Sequence, residues 1–241
     1  MGDLTSVYSL AEAKPPPFKG VLMKYELTDE TKEYCGVTLH RIKALKDFGD
    51  VHKGELGGWI EKEENLSQHG NATVSGDAMV FGNARVFGNA RVFGNAMVSG
   101  DARVYDDATV SGDAMVFGNA MVSGDARVCG SAIVSGDTMV FGNAMVSGDA
   151  EVSGDAEVSG NAMVFGNARV YGDTWVTGDI SLSSGYCFVT KGKDWNVTEV
   201  EDGDHILLIR DYKPAKSITV TKQEIANKFG VKVERLKIKE E

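Results

Sequence analysis

Histidine, cysteine and net positive charge are scarce in this sequence, and each shortage narrows what the chain can do. The long central stretch 71–178 contains no histidine; His40, His52, His69 and His205 all lie outside it. The three cysteines, Cys35, Cys129 and Cys187, are scattered and odd in number. No CxxC or Cys/His cluster suggests a metal, and none is expected. Unpaired cysteines point to a reducing compartment with free thiols. Lys and Arg number 25 against 35 Asp and Glu, a net charge of −10. That balance argues against generic nucleic-acid binding, because the phosphate backbone demands cations. No apolar run is long enough to span a bilayer, and no secretory signal is evident. A soluble, cytoplasmic protein with no membrane partner and no cofactor is the expectation.

Glycine is plentiful, with 29 residues. It recurs because residues 71–178 repeat every six, as in DAMVFG NARVFG NARVFG NAMVSG. These 108 residues make eighteen hexads without an insertion. Each reads small polar, Ala (or Thr), variable, Val, Phe or Ser, then Gly. Ala and Val lie two apart and point to one side of an extended segment; the variable residue and the Phe/Ser position point to the other. Gly followed by Asn or Asp tolerates a sharp corner with positive φ. A short strand and a corner repeated at fixed length must coil, which is the pattern of a solenoid.

The repeat resembles the hexapeptide-repeat superfamily, whose members fold as a left-handed parallel β-helix with three hexads per triangular coil. The resemblance covers about half the chain. It implies six coils, a prism about 29 Å long at ~4.8 Å per coil, and an interior of Ala and Val from Val80 through Val176. The fold class is therefore mainly β, with a small N-terminal β cap and a small α+β C-terminal domain. GELGGWIEKEENLSQ further resembles the start of uncharacterised hexapeptide-repeat proteins of bacteria and phages, a resemblance that implies a bacterial or phage genomic setting.

Four segments follow. Residues 1–22, with Pro15 to Pro17, read as a leader or tail, and Met23 is an alternative start. Residues 23–70 read as a hairpin and cap, turning at Cys35-Gly36, with Ile60 and Leu66 in the Ala phase and Trp59 and Leu56 as the plug. Residues 71–184 are the β-helix. Residues 185–241 read as a separate unit, with strands at GYCFVTKG and HILLIRDY and a capping box from Thr221 to Glu224 before a helix.

Residues eighteen apart stack on one face, so the outward positions form three columns. The first holds Met79, Met97, Met115 and Ile133 beside Phe81 and Phe117. A contiguous apolar stripe argues for self-contact, and the resemblance implies a trimer. The second column begins Arg85, Arg103 beside Phe87, Tyr105; the third begins Thr73, Arg91, Thr109. Two guanidiniums on adjacent rungs repel unless an anion lies between them. Beside aromatic rings, they suit a phosphate with a base. Pairing with corner acids such as Asp101 and Asp106 is the alternative. Many relatives in the superfamily are acyltransferases using a His base and a protruding loop. The hexads here have neither, and His69 at the coil entrance is the nearest histidine. The reading is a non-catalytic homo-oligomeric binding protein, in sharper form a sponge for an anionic nucleotide signal; a pure scaffold and an acyltransferase are the alternatives.

Overall fold

A computed structural model describes residues 23–189 and the short strand Asn196–Val197. Residues 1–22, the expected strand HILLIRDY, the Thr221–Glu224 capping box, its helix and His205 lie outside the described residues. The coil is a three-sided parallel β-helix. Two-residue strands such as Met115–Val116 and Met121–Val122 stack in parallel on partners eighteen residues away. Two faces carry seven strands each, and the third carries the same ladder extended by an antiparallel hairpin.

The hexad explains the core. Ala and Val of nearly every coil are wholly buried, with Thr138 and Thr174 replacing Ala in two hexads. Both hydroxyls are satisfied locally, Thr138 Oγ1 donating to Ser135 O at 2.6 Å and Thr174 Oγ1 to Tyr171 O at 2.5 Å. Corner side chains form ladders of their own. Asn83 Nδ2 donates to Asp101 Oδ1 at 3.0 Å, Asn89 Nδ2 to Asp107 Oδ1 at 3.1 Å, and Asn119 Nδ2 to Asp137 Oδ1 at 2.6 Å. The alternation of Asn and Asp at the corners thus pairs a donor with an acceptor one coil away.

The coil begins earlier and ends later than the hexads do, giving about seven turns where the sequence suggests six. Strand β1 (Tyr25–Tyr34) and strand β2 (Val37–Ala44) form the expected hairpin around Cys35-Gly36, both at positive φ. Strand β3 (Leu56–Ile60) then joins both β2 and the first helical rung, Trp59 opposite Met79 and Ile60 opposite Val80. Leu66 bridges Val86. Ile60 and Leu66 therefore occupy the Val phase, not the Ala phase. Their partners are twenty residues away, because two extra residues between Leu66 and Val74 break the eighteen-residue step. At the other end the ladders run past the expected boundary at 184: Tyr186–Val189 pairs with Arg169–Gly172, and Asn196 with Trp175.

The plug also differs from expectation. Leu56 is half exposed, and Trp59 packs on the outside of the sheet with Leu39 and Met79. The open end is closed by Tyr25, Ile42, Ile60 and Leu66. A solenoid end also leaves carbonyls without a coil above them. Tyr25 Oη donates to Leu66 O at 2.6 Å and Glu63 O at 3.0 Å, and Lys24 Nζ donates to Ala72 O at 2.8 Å. Burial, reinforced by Lys46, lowers the Lys24 ammonium to about 8. Burial, reinforced by Glu63 and Glu64, raises the Tyr25 phenol above its ordinary value. Both side chains are held where their donors serve the edge of the coil.

Candidate functional site

The second face brings Arg85, Phe87, Arg103 and Tyr105 together. Arg85 and Arg103 are register partners on adjacent rungs. Both point outward because each follows an inward Ala and precedes an inward Val. Phe87 and Tyr105 stack with ring centroids 5.0 Å apart and planes within 1°. The Arg85 guanidinium carbon lies 6.0 Å from the Phe87 centroid. The corner acids do not neutralise the arginines: Asp101 accepts from Asn83, and Asp106 Oδ2 accepts from Gly124 N at 3.3 Å. Among the described residues neither Arg85 nor Arg103 has an ion-pair partner. Asp106 carries a further oddity. It stands where other corners have Gly, at φ 58, beside Tyr105.

The first face is only partly free. Met79 is buried under the hairpin with Leu39 and Trp59, and Phe81 and Met97 pack against that cluster. Tyr34 meets Phe81 edge-on at 5.7 Å, while Lys32 and Arg41 hold the Trp59 ring at 4.5 Å and 5.1 Å. Half of the apolar stripe is thus an intramolecular contact, invisible in the hexads because its partner is the strand pair upstream. Met115, Phe117 and Ile133 remain outside it. Lower down, Glu151 and Arg169 approach to 3.8 Å and Tyr171 donates to Glu151 at 3.0 Å.

Sequence reasoning missed one concavity. The register shift in β1 between Leu27 and Thr31 opens a cleft against the first turn. Asp29, His40, Glu61, Glu63 and Glu64 line it, with Lys62. Only the insertion that offsets Ile60 and Leu66 hinted at an irregular first coil. No group of three or more His, Cys, Asp or Glu side chains placed to hold a metal occurs among the described residues. No helix among them is long and apolar enough to cross a membrane.

Comparison with known proteins places this coil among β-solenoids. A family model described as the YdcK β-solenoid repeat matches residues 90–105, 102–118, 114–130, 120–136 and 156–172. A protein of Escherichia coli strain K12 named as an uncharacterized acetyltransferase, YdcK, is 36% identical over 61 residues. The match takes in 22% of this chain and 19% of that protein, so the chain spans about a fifth of its relative's length. The chain is a β-solenoid repeat protein of the hexapeptide-repeat-like kind. The relative's name also corrects the expectation that the chain is no enzyme. A coil without histidine lacks only a histidine base, since Asp and Glu also serve as general bases. His40, His52 and His69 stand on the segments that close its first turn, and catalytic groups can come from such flanking elements.

Proposed function

We propose that this chain is a rigid β-helical scaffold that works by associating with copies of itself. The observation that supports this reading is the register of apolar side chains on its outer faces. Met115, Phe117 and Ile133 run down the first face below the hairpin, and Met121, Met139 and Phe141 run down the second. Phe117, Phe141 and Trp175 are 40%, 37% and 49% exposed. Apolar side chains aligned along flat faces, rather than scattered singly, are what interaction surfaces have. The net charge of −10 opposes indiscriminate association, so contact must be made by a particular face. Light scattering across a concentration series should give a mass above that of one chain. A single-chain mass throughout sinks the reading.

The unpaired arginines favour a second reading, a ligand-binding one. An anion seated between Arg85 and Arg103, with an attached base on the Phe87–Tyr105 platform, would gain charge-assisted hydrogen bonds and stacking of about 1–3 kcal/mol. The relative's name makes a coenzyme A-type acyl donor, which carries both phosphate and base, the first compound to titrate. Cyclic dinucleotides come next, and sequestering such a signal is the finer form of this reading. In calorimetry, replacing both arginines with Ala should weaken binding at least tenfold. Affinity unchanged in that variant rejects the quartet.

A further inference from the structure

Down the second face the outward column reads Arg85, Arg103, Met121, Met139, Glu157, Trp175, after which the sheet continues into a seventh strand, Asn196–Val197. Along the six rungs, two cations come first, two methionines stand in the middle, and an acid and an indole come last. The neighbouring outward column reads Phe87, Tyr105, Ser123, Phe141, Ser159, Thr177. From these two columns, and resting on the self-association reading above, we infer that the second face is a two-fold interface with an antiparallel second copy, centred between Met121 and Met139.

The geometry is restrictive. Two flat faces laid together about a two-fold axis parallel to their strands keep the strand direction and reverse the prism axis. Each column then meets its own copy in reverse order. Met121 faces Met139 of the partner copy, Arg103 faces its Glu157, and Arg85 faces its Trp175. In the second column Phe141 faces Ser123, Tyr105 faces Ser159 and Phe87 faces Thr177. Every cation thus meets an acid or an indole, and every large ring meets a small side chain. A guanidinium over an indole is the stronger form of cation–π contact. A slip of one rung towards Met121 would set Tyr105 against Phe141 and Ser123 against Ser123, filling one gap twice and leaving another empty. Charge and size therefore select the same register independently.

The charged and aromatic groups are exposed or half-buried, whereas Ser159, opposite Tyr105, is itself buried. Arg85 and Arg103 have no ion-pair partner among the described residues, and Trp175 is half exposed. Among the described residues Glu157 accepts only from the neutral Ser159 hydroxyl, at 3.1 Å. The other two faces lack this symmetry. On the third face, Thr73, Arg91, Thr109, Arg127, Met145, Met163 and Ser181 form the column, and it holds no acid that either arginine could meet in any reversed register. On the first face Met79 lies under the hairpin, and Glu151 and Arg169 already face each other. The six rungs from Arg85 to Trp175, of the seven strands on this face, are at about 4.8 Å per rung long enough to bury on the order of 1,000 Å² in total, the lower bound for a specific interface. Such a dimer is reversible and dilutable. It is two-fold, where the superfamily resemblance implied three-fold.

Charge exchange tests the pairing. In sedimentation equilibrium the protein should dimerise, and Arg103→Glu or Glu157→Arg alone should weaken the dimer at least tenfold. Arg103→Glu combined with Glu157→Arg should restore it, because both contacts reappear with their signs exchanged. All three variants change exposed or half-buried outward side chains, so their melting temperatures should stay near that of the parent. Met115→Glu with Phe117→Glu, on the first face, should leave the dimer intact. A parent dimer indifferent to the single changes, or a double exchange that does not restore pairing, overturns this interface and leaves self-association standing. A trimeric mass overturns the two-fold arrangement. A monomer at every concentration removes both proposals.

Discussion

Val116→Asp should prevent the coil from forming a stable prism. Val116 is wholly buried, stacked between Val98 and Val134 in a column of valines. No polar side chain lies in that column to receive a carboxylate. An ionised Asp there would be desolvated and unpaired, and a protonated one would still lack a partner for its hydroxyl. The cost should be about 3 kcal/mol or more. Each coil contacts only its neighbours, so a broken rung separates the coils above it from those below. The neighbouring residue supplies the control. Met115 points the other way, and Met115→Asp should change stability by about 0.5 kcal/mol or less, as outward substitutions usually do. Chemical denaturation of the two variants side by side checks the inward and outward assignments together. Equal stabilities would mean that the alternation has been read in the wrong phase.

The second large effect falls on the corners. Gly136→Ala should lower stability by roughly 2–3 kcal/mol, though only one methyl group is added. Gly136 has φ +76, and a Cβ there would lie 2.7 Å from Gly154 O and 2.8 Å from Gly154 N. A left-handed backbone costs an L-residue about 1–2 kcal/mol, and the clash adds to it. Backbone cannot rotate away as a side chain can, so the coil below must move. The chain itself carries one such corner at Asp106, φ 58, and it uses a residue type that tolerates this conformation. Its carboxylate also hydrogen-bonds Gly124 N in the coil below. That precedent makes Gly136→Asp milder than Gly136→Ala despite its greater bulk. Thermal melts of the two variants would reveal the order, and an Ala variant as stable as the parent would contradict the corner geometry.

The six-residue period determined most of the fold, because a β-helix is a local structure. Inward Ala and Val, positive-φ Gly and corner Asn or Asp recur so regularly that strand direction, stacking partner and outward columns follow from spacing alone. The hairpin was legible too, since Cys35-Gly36 separates two alternating runs. What spacing could not reach was everything set by contacts between the hexads and residues without the period. The hairpin folds over Met79, Phe81 and Met97, so a stripe that looks like an interface is half interior. Two inserted residues move Ile60 and Leu66 from one phase to the other, and strands beyond the hexads at both ends lengthen the ladders. Tyr25 and Lys24, far from the repeat in character, supply the donors that finish the exposed edge. The arginines of the second face were visible as a column, but their lack of acid partners was not. That depended on which acceptors the corner asparagines and a backbone amide had already taken, and hydrogen-bond competition of this kind is settled only when the coils are stacked.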